Sequence, residues 1–388
     1  MIEIKDKHNC CGCAACIQRC PKQCISLEED NEGFLYPNVN KLLCVDCHLC
    51  EKVCPILNKK ENKKPIIALA AINTDEGIRL KSSSGGIFTL LAEKIIANEG
   101  MVFGAAFDKN WEVHHEEGIT IEDLCKFRGS KYVQSKIENS YKKTEYLLKE
   151  GKKVLFSGTP CQIAGLKCFL QKEYLNLTTV DFICHGVPSP GIWRWYIKNQ
   201  IFGTTNTSSK LKDINFRDKT YGWRDFQLTF QFKSSTPISS TNNANGYMIA
   251  FLNNICLRPS CYQCPAKSGR SHSDITIADF RGVNNFNIDL DDNKGTSLVL
   301  INTNKGLELV KNINMNSKEI NINKALESNK SWHESAKVHE LRNLFYKQYK
   351  KHESDFTSFT QDLIHTKSIT KRVIRKIFRT LGYNQLPI

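Results

Sequence analysis

The sequence predicts two unlike folded units in one chain: a small, cysteine-rich α+β unit, then a larger α/β unit on a parallel or mixed sheet, ending in a helical tail. Three observations carry this. Six cysteines crowd residues 10–24 and four more fall within 44–54. A lysine-rich stretch without apolar periodicity, ILNKKENKKP, follows at 56–65 and reads as a solvated linker. Beyond it, short apolar runs of strand character alternate with helical patterns, the order of an α/β domain. The expected boundaries are 1–58 for the small unit, 59–65 for the linker, 66–310 for the larger domain and 311–388 for a helical, basic C-terminal region. At 388 residues the chain is long enough to bury a core without cystine staples.

The seventeen cysteines therefore point to chemistry. The start, MIEIKDKHNC, lacks a basic segment followed by an apolar run, and no uninterrupted apolar stretch of membrane-spanning length occurs. A cytoplasmic protein is expected, where thiols stay reduced and clustered cysteines bind metal or carry out redox chemistry. Cys10, Cys13, Cys16 and Cys20 follow C-x2-C-x2-C-x3-C-P, closing on Pro21, and Cys44, Cys47, Cys50 and Cys54 repeat it, closing on Pro55. This is the two-cluster ferredoxin run, in which the fourth cysteine of each run ligates the other cluster. Crossing the fourth ligands gives Cys10, Cys13, Cys16 and Cys54 around one 4Fe-4S cluster and Cys44, Cys47, Cys50 and Cys20 around a second. Structural zinc is the competing reading, but zinc sites usually show two separated ligand pairs rather than two complete four-cysteine runs. Cys11 and Cys24 fall outside the pattern and read as small, buried, inert side chains.

In the larger unit, apolar runs at 66–72, 101–107, 153–158 and 179–184 read as strands, with helices at Ile87 to Asn98, near 140–150 and from Pro160. Ligand sites in such sheets lie beyond the carboxyl ends of strands. Two strand-to-helix loops fall there. KSSSGGIF (81–88) sets Ser82, Ser83, Ser84, Gly85 and Gly86 before a helix, where free amides, hydroxyls and the helix dipole suit a phosphate. SGTPCQIAG (157–165), with Gly158 and Thr159, is the weaker candidate. Neither matches a known nucleotide fingerprint. The competing readings are an N-cap at Ser84 and a capping box of Thr159 and Gln162 with Pro160 at the first helical position. Further on, Cys256, Cys261 and Cys264 are spaced C-x4-C-x2-C, three ligands wanting a fourth. Cys184, in ICHGVPSP, is the first choice and Cys161 the alternative, with a zinc knot or unligated core thiols as competing readings.

The tandem cysteine motif followed by SSSGGIFTLLAEKII, FRGSKYVQS, GTPCQIAGL, DFICHGVPSP, GYMIAFLNNICLRPSCYQC and SDITIADFRG resembles the coenzyme F420 hydrogenase/dehydrogenase beta-subunit family, over residues 10 to about 305. The similarity is greatest to its bacterial branch with a fused N-terminal ferredoxin, often found in polysaccharide gene clusters. The resemblance implies an α+β ferredoxin-like two-cluster domain fused to an α/β, mixed-sheet, FAD-binding domain that carries a third 4Fe-4S cluster. It also implies flavin contacts from Ser82, Ser84, Gly85 and Gly86, with Ser130, Lys131 and Tyr132 of GSKY flanking the same pocket and Lys131 offering a cation. It favours cluster ligation by Cys256, Cys261 and Cys264. Asp274 and Asp279 match acidic positions of the family, where a turn or cap role competes with cofactor contact. Where relatives commonly read DFWG, this chain has Asp279, Phe280, Arg281 and Gly282, which puts the substrate in question, and its Lys- and Asn-rich composition, bacterial in character, puts F420 itself in question.

Electron counting then suggests a route. Each 4Fe-4S cluster passes one electron whereas a hydride carries two, and a flavin converts between them. The expected flow runs from the ferredoxin-type clusters through the third cluster to FAD, then as hydride to an unsaturated or carbonyl substrate or a soluble hydride carrier; the reverse is equally open. The alternative is a non-catalytic electron-transfer subunit that delivers electrons to a partner enzyme. Lys131 and His185 are the only candidate catalytic groups, and a structural histidine competes at 185.

The net charge of +14 lies partly in HTKSITKRVIRKIFRTLGYNQLPI (365–388), which has six Lys and Arg and no acid. Ile369, Val373, Ile374, Ile377, Phe378 and Leu381 recur at helical spacing, predicting a basic amphipathic helix. Its expected counterpart is an acidic partner protein or the anionic inner membrane surface, against the plainer reading of a helix packed on the body. No basic patch with interleaved aromatics suggests nucleic acid.

Overall fold

The computed structural model describes residues 1–202, 211–233, 236–286 and 288–364. The basic helix expected at 365–388 lies outside the described residues.

In the N-terminal unit, α1 (Ala15–Arg19) and α2 (Leu49–Lys52) flank an antiparallel hairpin of β1 (Ile25–Glu29) and β2 (Leu35–Val39). Ala14 and His48, just before the two helices, both take a left-handed φ of 58°. Each turns the chain sharply between the second and third cysteines of its run. The repeat read in the sequence is thus a repeat of backbone shape.

The larger unit is built on an eight-stranded mixed sheet. It comprises β3 (Ile67–Asn73), β4 (Met101–Phe107), β5 (Val113–Gly118), β6 (Val154–Ser157), β7 (Leu177–Phe182) and three later strands. Helices intervene: α3 (Glu76–Leu80), α4 (Ile87–Ile96), α5 (Leu124–Phe127), α6 (Ser140–Lys149), α7 (Pro160–Leu170) and α8 (Pro190–Tyr196). Next come β8 (Leu211–Asp218), β9 (Gln227–Phe232) and β10 (Ile238–Thr241), a separate antiparallel sheet, and α9 (Gly246–Leu252). The large sheet resumes with β11 (Ile275–Asp279) and β12 (Ser297–Ile301), and after α10 (Asn304–Lys311) closes with β13 (Met315–Ile320). Then follow α11 (Ile322–Glu327) and α12 (Arg342–Gln348).

The strand order is β13-β3-β12-β11-β7-β6-β4-β5, with β4, β6, β7 and β11 mutually parallel and β3 running the same way. Alternating residues explain the two covered faces. On β6, Leu155 joins α4 in one apolar layer, while Val154 and Phe156 join α6, α7, Cys11, Cys13 and Ala15 in the other. The cysteine unit therefore packs directly on the sheet's helical layer. The expected helical region from residue 311 needs correction at its start, because β13 pairs antiparallel with β3. Its sequence, MNSKEI, lies on an edge and is two-thirds polar, so it carries no buried-strand signature.

Burial also creates one testable pH effect. His115 is 3% exposed, accepts from Ser135 Oγ at Nδ1 (2.6 Å) and donates from Nε2 to the Ser157 carbonyl (2.9 Å). Burial pushes its pKa down to about 4. The unfolded chain binds this proton first, so the stability tied to neutral His115 is full above about pH 6.5 and is lost as pH falls toward 4. We expect His115→Gln to flatten the difference in unfolding free energy between these pH values by about 3 kcal/mol. Parallel curves for the two proteins in chemical denaturation would contradict this.

Candidate metal centres and cofactor site

Each run's fourth cysteine sits with the first three of the other run. One recess is lined by Cys10, Cys13, Cys16 and Cys54 together with Cys11. The other is lined by Cys20, Cys44, Cys47 and Cys50 together with Cys24. The first is the inner site, against the larger unit; the second is outer, with Cys47 exposed. Gly165 of α7 allows the inner site its position: a Cβ there would stand 2.8 Å from Cys13 Cβ. Among the described residues no three metal-binding side chains converge on a point as for a single ion. Soft sulfur donors suit iron and sulfide rather than hard cations.

A third group gathers beyond the carboxyl ends of β6 and β7. Cys161, Cys184, Cys261 and Cys264 lie within electrostatic reach of one another in every pairing. Thr159 caps α7 in a full capping box with Gln162, with Pro160 at the helix start, and its hydroxyl lies 3.2 Å from Cys161 Sγ. Val187 N donates to Cys261 Sγ at 3.4 Å, and Lys267 Nζ donates to the Cys184 carbonyl at 2.7 Å. Cys256, expected as a ligand here, does not join. It is fully buried in the aromatic core, with its carbonyl held by Ser189 N and Tyr346 Oη. Pro259 starts a tight helical turn over 259–263, which turns Cys261 toward the group and leaves Cys256 behind. Both alternatives for the fourth position, Cys184 and Cys161, are present instead.

Burial pushes Cys16 and Cys261 up to about 12 and Cys184 well above the usual thiol range, with neighbouring thiols adding to each. Such clusters ionise only beside strong positive charge, which a metal core supplies. Cys11 and Cys24, which their spacing marks as inert, are not isolated. Cys24 sits 3.4 Å from Cys20, and Cys11 lies next to both Cys13 and Cys161.

The other residues expected at a cofactor site divide. Ser82 donates to the Ile78 carbonyl, Ser84 to the Thr296 carbonyl, and Gly85 N to Ser297 Oγ; Gly86 starts α4 with a left-handed φ of 81°. Their hydroxyls are spent within the fold. Gly158 N donates to the Val180 carbonyl, and Thr159 is taken by its cap. Ser130 N donates to Ser83 Oγ at 2.7 Å, which joins the two loops. Lys131 donates to the carbonyls of Arg128 and Gly129 (3.2 and 3.3 Å) and burial pushes it down to about 8. Tyr132 stands 3.4 Å from Arg217. Asp274 is a fold residue, accepting from Thr179 and Thr303. Asp279 pairs with Arg217 at 3.1 Å. His185 packs its ring against Phe251, and burial lowers its pKa; Phe251 also contacts Tyr132. Arg281 is exposed.

Two cations missed in the sequence complete this edge. Lys219 is 7% exposed and gives all three donors to the carbonyls of Arg79, Lys294 and Ser84 (2.7, 2.7 and 3.1 Å). Arg217 is 5% exposed, and its Nε is buried without a partner, as is Trp223 Nε1. Both cations belong to NFRDKTYGWRD, leaving β8. Its density of cations and aromatics after a strand was the available signal.

These features define a class, an α/β protein on a mixed sheet with cysteine groups at and beside its carboxyl edge. Residues 151–327 match the family model for the C terminus of the beta subunit of coenzyme F420 hydrogenase/dehydrogenase. The uncharacterized protein MJ1349 of Methanocaldococcus jannaschii is 26% identical over 200 residues, 44% of this chain and 55% of the relative. A ferredoxin of Streptomyces griseus is 38% identical over 55 residues, 14% of this chain and 41% of that protein. The chain thus spans about half the length of the curated relatives it matches. Among solved structures, the F420-reducing [NiFe] hydrogenase complex from Methanosarcina barkeri aligns with a TM-score of 0.45 at 17% identity, over 80% of this chain and 93% of that one. Among the described residues no helix is long and apolar enough to cross a membrane.

Proposed function

We propose that the chain is an iron-sulfur flavoprotein oxidoreductase. In this reading the N-terminal unit holds two 4Fe-4S clusters, the inner on Cys10, Cys13, Cys16 and Cys54 and the outer on Cys20, Cys44, Cys47 and Cys50. A third cluster sits on Cys161, Cys184, Cys261 and Cys264, and FAD lies at the basic carboxyl edge. The observation that carries the proposal is the succession of thiols: the exposed Cys47 lines the outer recess with Cys50, Cys50 lies within electrostatic reach of Cys16 in the inner one, and Cys11 joins Cys13 to Cys161 of the third group.

When bound, clusters supply one-electron steps and a flavin exchanges these for hydride chemistry. The chain's own residues do the rest. Arg217 offers its unpartnered Nε to an anionic or acceptor atom of the nucleotide, and Lys131 has one donor beyond its two carbonyl bonds. Lys219 has no donor left, so it acts as a fixed charge that ties the serine loop to the loop after β8. The outer site is where a redox partner docks.

The competing reading, a non-catalytic electron-transfer subunit, separates in one experiment. The anaerobic protein is mixed with a small hydride donor and with dithionite in parallel. Bleaching of flavin and cluster absorption by the hydride donor supports the oxidoreductase. Cluster bleaching by dithionite alone, with no bound flavin, supports the wire.

A further inference from the structure

Among the described residues Arg258 is a buried cation with no carboxylate partner. It is 0% exposed. Its Nε donates to the Cys10 carbonyl (2.7 Å), Nη1 to Gln134 Oε1 (3.0 Å), and Nη2 to the Leu35 carbonyl (2.9 Å) and to Cys10 Sγ at 3.5 Å. The guanidinium lies 4.3 Å over the Tyr36 ring and 5.4 Å from that of Phe34. Every other partner is neutral. A charge removed from water without an opposite charge is strongly unfavourable, and carbonyls and ring faces recover only part of that cost.

Its position indicates what completes the balance. Arg258 belongs to the larger unit, three residues before Cys261, yet it reaches across to Cys10 of the inner site. Its charge also acts on Cys11, Cys161 and Cys261. The approach is built for: Gly12 takes a φ of 71°, and a Cβ there would stand 2.6 Å from Gln134 Nε2 and 2.9 Å from Arg258 Nη1. Among the described residues, the anions this geometry offers are the thiolates, and the core they would hold.

We propose that Arg258 is the fixed counter-cation of the inner cluster site, shared with the third, and that it makes the inner site easier to reduce. This rests on the cluster reading above. A 4Fe-4S core held by four thiolates is anionic and gains one more negative charge on reduction, so a buried cation hydrogen-bonded to a ligand sulfur favours the reduced form. One electron leaves the reduced outer cluster and enters the oxidised inner one. No proton has to follow, because the positive charge is already in place.

The test is an EPR-monitored redox titration of the full-length anaerobic holoprotein, with the inner signal assigned as the one lost in Cys13→Ser. At the wild-type inner midpoint, Arg258→Met is expected to lower the reduced-to-oxidised ratio about tenfold, a shift of about 59 mV for one electron. The outer signal should stay in place, and Arg258→Lys should retain most of the wild-type ratio. Gln134→Glu, which sets a carboxylate against the cation without removing it, is expected to act in the same direction and decides the matter if Arg258→Met does not assemble. An unmoved inner midpoint in variants of full iron content would make Arg258 a structural clamp only and overturn the proposal. Absence of any cluster signal in the wild type would instead overturn the cluster reading on which it rests.

Discussion

Cys161→Ser is expected to lower the iron content of the anaerobically prepared protein by about four atoms from about twelve, with the inner and outer signals intact. Cys256→Ala should leave the iron unchanged. The contrast follows from where the two thiols lie. Cys161 opens α7 within electrostatic reach of Cys184, Cys261 and Cys264, whereas Cys256 is fully buried in the aromatic core. Cys184→Ser should behave like Cys161→Ser. Iron lost in Cys256→Ala but kept in Cys161→Ser would return the third site to the ligand set suggested by the C-x4-C-x2-C spacing alone.

Arg217→Met is expected to weaken FAD binding by at least about 30-fold, since truncating one partner of a buried charged contact costs about 2–5 kcal/mol. The irons should remain. Arg217 is nearly fully buried, its pair with Asp279 leaves Nε unused, and Trp223 lies beside it. A buried donor left open suggests an acceptor supplied by a ligand. Flavin retention measured after gel filtration checks this. Wild-type flavin content in Arg217→Met would remove the β8 loop from the cofactor site.

Local chemistry was the legible part of this fold. The motif C-x2-C-x2-C-x3-C-P dictates a backbone curl, and both copies form it with matching φ at Ala14 and His48. The apolar runs that became β3, β4, β6 and β7 sit in the centre of the sheet, where burial on both faces makes the sequence continuous in hydrophobicity. Thr159, Pro160 and Gln162 spelled their capping box outright. Strands with one polar face or an edge position, such as β5 and β13, carried no comparable signal.

The site was legible only where it is contiguous in sequence. Cys161 and Cys184 reach Cys261 and Cys264 because α7 and the loop after β7 start from neighbouring strands, and no spacing rule encodes that neighbourhood. Cys256 misled for the same reason: its spacing to Cys261 looked like ligation, but the packing of LRPS between them decides which way each thiol faces. Arg258 shows the limit most clearly. Nothing in CLRPSC announces that a guanidinium will cross to a cysteine 248 positions away.

The measurement that bears most directly on a three-cluster flavoprotein is quantitation of iron, sulfide, zinc and extracted flavin in one anaerobic preparation of the full chain. Three cubane clusters and a flavin require about twelve irons, about twelve sulfides and about one FAD per chain. About eight irons without flavin would leave two N-terminal clusters and contradict both the third centre and the flavin site, and zinc in place of iron throughout would contradict the redox reading altogether.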